Sequence, residues 1–229
     1  MTGKPPRGPL PGEPILLKEN PARYLLEDAE RAVEGSRGAR DRGDAETEAS
    51  FARSAVFLYF AALEGFINFV YAWSEVEDPA YERWLTERKW RRAAEQCLPG
   101  HGTIYNERDE VLYRPGDPVD PFDADSELLA RFLELRDARN DMVHLQPVFS
   151  KVDQECIDEH FATSEYYPVT GLPKKLTHYR ARHAETVAAL FEAMVDRLDV
   201  CLKGNIRWLL GAPALYEWRT DEEEDDPLE

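Results

Sequence analysis

The sequence predicts an all-α fold, an up-and-down bundle of four to five long helices with long inserted loops. Apolar side chains recur at three-and-four spacing in several long segments, whereas the alternation that signals strands is confined to short runs. Hydrophobic residues make up 43% of the 229 residues, enough to fill a core, and the charged 32% can solvate its surface.

Residues 1–20 read as a disordered arm, because Pro5, Pro6, Pro9, Pro11 and Pro14 recur through it and Pro21 closes it. The bundle is expected over residues 21–216. Its first helix is predicted over Arg23–Glu34, where Leu25, Leu26, Ala29, Ala32 and Val33 share a face, with Gly35 and Gly38 as stop signals. A second helix should start near Asp44–Thr47 and run to about Glu75, before Pro79. Within it Ala55–Trp73 is 19 residues with one charge, close to membrane-spanning length. Glu64 sits at its centre, where a carboxylate costs roughly 2.5–3.5 kcal/mol on insertion scales. No flanking Lys/Arg cluster orients it, so a central bundle helix rather than a membrane span is expected.

Tyr81–Leu98 predicts a third, amphipathic helix carrying Trp84, Leu85, Trp90, Ala93, Ala94 and Leu98, closed by Pro99–Gly100. The insertion 100–125 has no helical period, but Thr103–Tyr105 and Val111–Tyr113 around a polar centre fit a small hairpin. The next helix is capped by Asp125 or Ser126. It presents Leu128, Leu129, Phe132, Leu133, Leu135, Met142 and Val143, and ends near His144–Leu145 because Pro147 holds Gln146 extended. A second insertion, 146–182, holds a candidate helical turn at Gln154–Phe161. The last long helix starts around Tyr179–His183 and runs through Val187, Leu190, Phe191, Met194, Val195, Leu198 and Leu202. Gly204 or Gly211 ends it, and Trp208–Leu210 is expected to dock as a turn.

Charge and cysteine content narrow the function classes. Cys97, Cys156 and Cys201 are far apart and give neither a disulfide framework nor metal-ligand spacing. The N-terminal segment has no apolar run of the secretory kind, so a reducing, cytoplasmic setting is expected. The net charge of −17 argues against broad nucleic-acid binding, so any RNA site must be a local patch. Part of that charge is concentrated in residues 217–229, which hold eight acids against one Arg and are expected to form a disordered acidic tail. No phosphate-binding glycine loop, zinc spacing or nucleophile elbow is present, and neither a cofactor nor a metal is expected.

The sharpest local feature is Arg139–Asn140–Asp141–Met142–Val143–His144, at the end of an apolar-striped helix. Arg offers a permanent planar cation matched to phosphate oxygens, and His moves protons near neutral pH. That pair suits RNA cleavage without metal, in which the ribose 2′-hydroxyl attacks and a cyclic phosphate is left. Five residues of regular helix separate two side chains by about 140°, so the pair does not converge within one helix. Glu64 and Asn68, one turn apart in the apolar helix, are the second clue. A carboxylate there needs a partner, and Arg139 on another core helix is a reasonable one. Lys174, Lys175, Arg180 and Arg182, with His178 and His183, form a stretch free of acids that could contact phosphates. Arg88–Lys89–Trp90–Arg91–Arg92 is a second basic cluster.

In RNDMVH and its helical context the chain resembles the HEPN (higher eukaryotes and prokaryotes nucleotide-binding) family, over about residues 45–210. Ribonuclease members of that family carry an Arg, four to six residues and then a His, often with a polar residue straight after the Arg, here Asn140. The resemblance implies an endoribonuclease with Arg139 and His144 catalytic and Asn140 in the polar slot. On that reading Glu64, with Asn68 a turn away, orients Arg139 or His144, whereas on a purely structural reading Glu64 pairs with any bundle cation and Asn68 with backbone. The resemblance further implies a homodimer whose interface gathers both Arg–His sets, RNA as substrate, and an antitoxin or antiviral defence setting. The alternative is a catalytically inactive HEPN-like module that binds a nucleotide or a protein. Some family toxins have a modifiable Tyr two residues after the His. Gln146 stands at that position here.

Overall fold

The computed structural model describes residues 16–74, 79–97, 104–105, 111–113, 122, 125–144, 157, 162–202 and 206–217. Among the described residues five α-helices dominate: α1 (Pro21–Asp41), α2 (Ala45–Trp73), α3 (Thr86–Cys97), α4 (Ser126–Val143) and α5 (Ala181–Cys201). The all-α bundle predicted from the sequence is the fold observed. The helix α2 is central and packs against each of the other four.

Helices α1 and α2 form a close antiparallel pair because α1 buries small side chains, Ala22, Ala29, Ala32, Ser36 and Ala39, alongside Val33. This is why Gly35 and Gly38 do not stop α1. A Cβ on Gly35 would come within 2.8 Å of the Phe51 ring, so the glycine serves close helix approach rather than termination. The real stop is Gly43, at φ +72°, after which the Asp44 carboxylate caps α2 by accepting from the Thr47 amide at 3.1 Å. By length and composition α2 could cross a membrane, yet 61% of its most apolar window is buried inside the bundle, so helix packing accounts for its apolarity.

The core is aromatic where α2, α3 and α4 meet. Phe132 lies 6.0 Å from Phe60, 6.4 Å from Trp90 and 6.5 Å from Phe122, and Phe66 lies 6.4 Å from Trp90. Helix α5 closes the bundle through Val187, Leu190, Phe191, Met194, Val195 and Leu198, with Phe191 5.5 Å from Tyr59. On α4, Leu128, Phe132, Leu135 and Ala138 are buried, whereas Val143 of the predicted stripe is 48% exposed.

Several boundaries differ from the sequence reading. The segment Pro79–Arg83 is a 3₁₀ helix, and α-helix resumes only at Thr86, leaving Leu85 exposed between them. The hairpin is present as β2 (Ile104–Tyr105) paired antiparallel with β3 (Val111–Tyr113). The arm is structured at its end: β1 (Leu16–Glu19) pairs antiparallel with β4 (Ala214–Glu217), so Glu217 belongs to a strand. Beside it Asn20 is fully buried. Its carboxamide donates to the Leu209 and Ala212 carbonyls at 2.7 and 2.9 Å and accepts from the Ala22 amide at 3.1 Å. One residue thus caps α1 and ties both ends of the described chain together. The turn Arg207–Leu210 docks as expected, with Leu209 buried and Trp208 edge-on to Trp73 at 6.2 Å. The candidate turn at Gln154–Phe161 lies largely outside the described residues.

Candidate functional site

Helix α4 is set by its Asp125 cap, which accepts from the Leu128 amide at 2.9 Å, and by its buried face against α2. That face ends at Ala138, so the next residue, Arg139, starts at the edge of the α2–α4 contact. Its side chain is 27% exposed. Nη2 lies 3.4 Å from Glu64 Oε2, and Nη1 donates to Asn140 Oδ1 at 3.0 Å. The guanidinium sits 5.2 Å from the Phe60 ring centroid and 5.9 Å from that of Phe57, within cation–π range. Nε is buried and has no hydrogen-bond partner among the described residues.

Glu64 joins three helices. Its Oε2 faces Arg139 of α4, while Oε1 accepts from Thr86 Oγ1 of α3 at 2.6 Å. One turn further along α2, Asn68 Oδ1 accepts from Lys89 Nζ at 2.6 Å. Lys89 is buried to 7% exposure. Burial pushes its ammonium below the usual lysine value, opposed by the attraction of Glu64 and Glu82. Asn68 therefore serves Lys89, and no hydrogen bond among the described residues links it to Arg139.

His144 stands at the C-cap of α4, exposed, with its amide donating to the Asn140 carbonyl at 2.8 Å. Arg139 engages α2 and no hydrogen bond among the described residues joins it to His144, in line with the angular separation on one helix. Between them Asp141 accepts from the Tyr167 hydroxyl at 2.6 Å. Burial and the Asp141 carboxylate both push that phenol well above its ordinary value. Tyr167 comes from the segment after α4, which Glu134 also anchors by accepting from the Val169 and Thr170 amides and the Thr170 hydroxyl at 2.7–3.1 Å.

The basic stretch before α5 is largely committed to structure. Lys174 pairs with Glu165 at 2.9 Å. Lys175 is half-buried, and its amide donates to Ser164 Oγ. Arg180 donates from Nη1 to the Thr177 and Tyr179 carbonyls, and its Nε lies 3.9 Å from Glu48. Arg182 is exposed. Cations at a helix N-terminus are unfavourable, and buried Glu48 of α2 resolves the conflict by accepting from the Ala181 amide at 2.8 Å. His183 accepts from the Arg180 amide through Nδ1 at 2.9 Å. Burial, then Arg182 and Arg180, lower it to about 4, so it is neutral at ordinary pH.

Sequence reasoning missed Thr86, Lys89 as a partner, Tyr167 and Glu48. A signal existed for the first two. Two polar positions one turn apart in an apolar helix require two polar positions about one turn apart on a neighbour, and Thr86 and Lys89 are three residues apart. Among the described residues no cluster of His, Cys, Asp and Glu could hold a metal ion. Comparison with family models, curated proteins and solved structures finds no match.

Proposed function

We propose that this chain is a HEPN-type endoribonuclease that cleaves RNA without metal through Arg139 and His144. The observation that carries the reading is the fixing of Arg139. Glu64 and Asn140 hold the guanidinium, mostly buried but still reached by solvent, at the α2–α4 contact, five residues before an exposed histidine at the helix end. A pinned planar cation is what a crowded phosphorane needs, since it loses little by reorganising when charge develops. In the reaction His144 takes the 2′-hydroxyl proton or delivers one to the leaving 5′-oxygen, and the 2′-oxygen closes on phosphorus to leave a 2′,3′-cyclic phosphate. One histidine cannot do both in a single step. A homodimer supplies the second and brings Arg139 of one copy towards His144 of the other. The setting is cytoplasmic, in toxin–antitoxin or antiviral defence, with an antitoxin or regulatory protein as partner.

A second reading, an inactive HEPN-like module that binds a nucleotide or protein, is favoured by one observation. Both Nη atoms of Arg139 already have protein partners within the chain. Incubating labelled RNA with the protein in EDTA, alongside Arg139→Ala and His144→Ala and with oligomeric state recorded, separates the two. Cleavage that leaves cyclic ends and is lost in both variants supports the ribonuclease. A folded dimer that cuts no RNA across varied sequences refutes it and leaves the module.

A further inference from the structure

Helix α4 ends without a strong C-terminal signal. Its last turn has no basic residue, and Asp141 puts an acid at the negative end of the helix dipole. His144 follows at φ −100° and ψ 50°, outside the left-handed conformation that closes many helices, and its amide donates to the Asn140 carbonyl at 2.8 Å. A turn of this composition frays when nothing outside the helix holds it. Asp141, Val143 and His144 are exposed, and the core reaches this turn through partly buried Met142.

The segment between α4 and α5 supplies the hold. Its backbone closes a turn on itself: the Tyr167 amide donates to the Leu172 carbonyl at 2.8 Å and the Gly171 amide to the Tyr167 carbonyl at 2.9 Å, with Gly171 at φ +68°. Leu172 is fully buried, and Arg53 of α2 donates to the Leu176 carbonyl at 2.7 Å, so the turn is anchored to the body of the bundle. Two carboxylates of α4 reach it, from residues two helical turns apart on one face. Glu134 accepts from the Val169 and Thr170 amides, and Asp141 accepts from the Tyr167 hydroxyl at 2.6 Å. Asp141 precedes His144 by three residues, which makes the two neighbours on the helix surface. Tyr167 therefore grips the turn that carries His144, and on the side of the histidine.

We propose that Tyr167 is a positioning residue for His144: its hydroxyl, bonded to Asp141, stops the last turn of α4 from fraying and fixes where the imidazole stands. A hydrogen bond to a carboxylate is stronger than one between neutral groups, and the anchored loop behind the phenol has little freedom left to lose. Proton transfer depends on such placement, since a displacement of about 1 Å can cost on the order of a hundredfold in rate. The part of the proposal that concerns cleavage rests on the ribonuclease reading, whereas the fixing of the turn does not.

The test compares the full-length wild type with Tyr167→Phe, Asp141→Asn, Asp141→Ala and the double variant Tyr167→Phe/Asp141→Ala. Amide hydrogen exchange, followed residue by residue by NMR, should quicken about tenfold at Met142, Val143 and His144 in Tyr167→Phe, with Phe132 and Leu135 unchanged. Asp141→Asn keeps an oxygen for the phenol and should stay near the wild type. Asp141→Ala should match Tyr167→Phe, and the double variant should add nothing to either. In RNA cleavage Tyr167→Phe should lower kcat about tenfold and leave KM unchanged, because the phenol places His144 and does not hold RNA. Unchanged exchange at residues 142–144 overturns the proposal, and so does faster exchange with undiminished kcat. A wild type that cuts no RNA refutes the ribonuclease reading instead, and exchange alone then decides whether Tyr167 fixes the turn.

Discussion

His183 is neutral inside the first turn of α5, and lowering the pH should destabilise the protein through it. The imidazole is 3% exposed, its Nδ1 accepts from the Arg180 amide, and the rings of Tyr179 and Tyr166 lie 5.9 and 6.5 Å away. Burial, Arg182 and Arg180 bring it from 6.5 to about 4. Between those values the unfolded chain binds the proton and the folded chain does not, so stability falls as pH falls through 6.5 and levels off below about 4. The full drop is worth roughly 3 kcal/mol, of which about 2 kcal/mol is lost between about pH 7.5 and pH 5. Urea denaturation of the wild type and of His183→Asn at both pH values measures it, since the asparagine oxygen can still accept from the Arg180 amide. Carboxylates held low by hydrogen bonds, such as Asp44, Glu95 and Glu165, act alike in both proteins and cancel. The wild type should lose about 2 kcal/mol more than the variant over this interval. Stabilities that fall in parallel would refute the assignment of a buried neutral histidine.

Asn20→Ala should cost about 3 kcal/mol in urea denaturation, because it strips the α1 cap and leaves the Leu209 and Ala212 carbonyls without the carboxamide that they share. A loss below about 1 kcal/mol would mean that these groups find other partners. Gly65→Ala should destabilise by about 1 kcal/mol: overpacking against the Ala22 backbone, 3.2–3.3 Å from the new Cβ, outweighs the gain in helix propensity. A stabilised variant would show that α1 can move away at little cost. Glu64→Gln keeps an acceptor for Thr86 but removes the charge facing Arg139, and should lower RNA cleavage about 10- to 100-fold with the fold intact by circular dichroism.

Much of the bundle was legible because helix periodicity is a local signal. The Asp44 and Asp125 caps, the end of α4 at His144 and the course of α5 all follow from neighbouring residues in the chain. What was not legible depends on partners distant in sequence. Gly35 reads as a stop until Phe51 is seen across the helix pair, and Leu16–Glu19 reads as arm until β4 lies beside it. The site divides the same way. That Glu64 needs a cation is a local inference, since a lone carboxylate in an apolar helix demands one, and Arg139 was the candidate on hand. That Asn68 would turn to Lys89 instead depends on the angle at which α3 crosses α2, which no local pattern encodes. The acid-free stretch before α5 looked like a phosphate contact because Glu48, more than a hundred residues earlier, is invisible to a local reading.

The most direct test of the central claim uses an oligonucleotide that is DNA except for a single ribose, incubated with the protein in EDTA. The Arg139–His144 account predicts one cut, 3′ of the ribonucleotide, ending in a cyclic phosphate and absent with His144→Ala. Cutting at deoxyribose positions, or a cut that persists undiminished in His144→Ala, would contradict it.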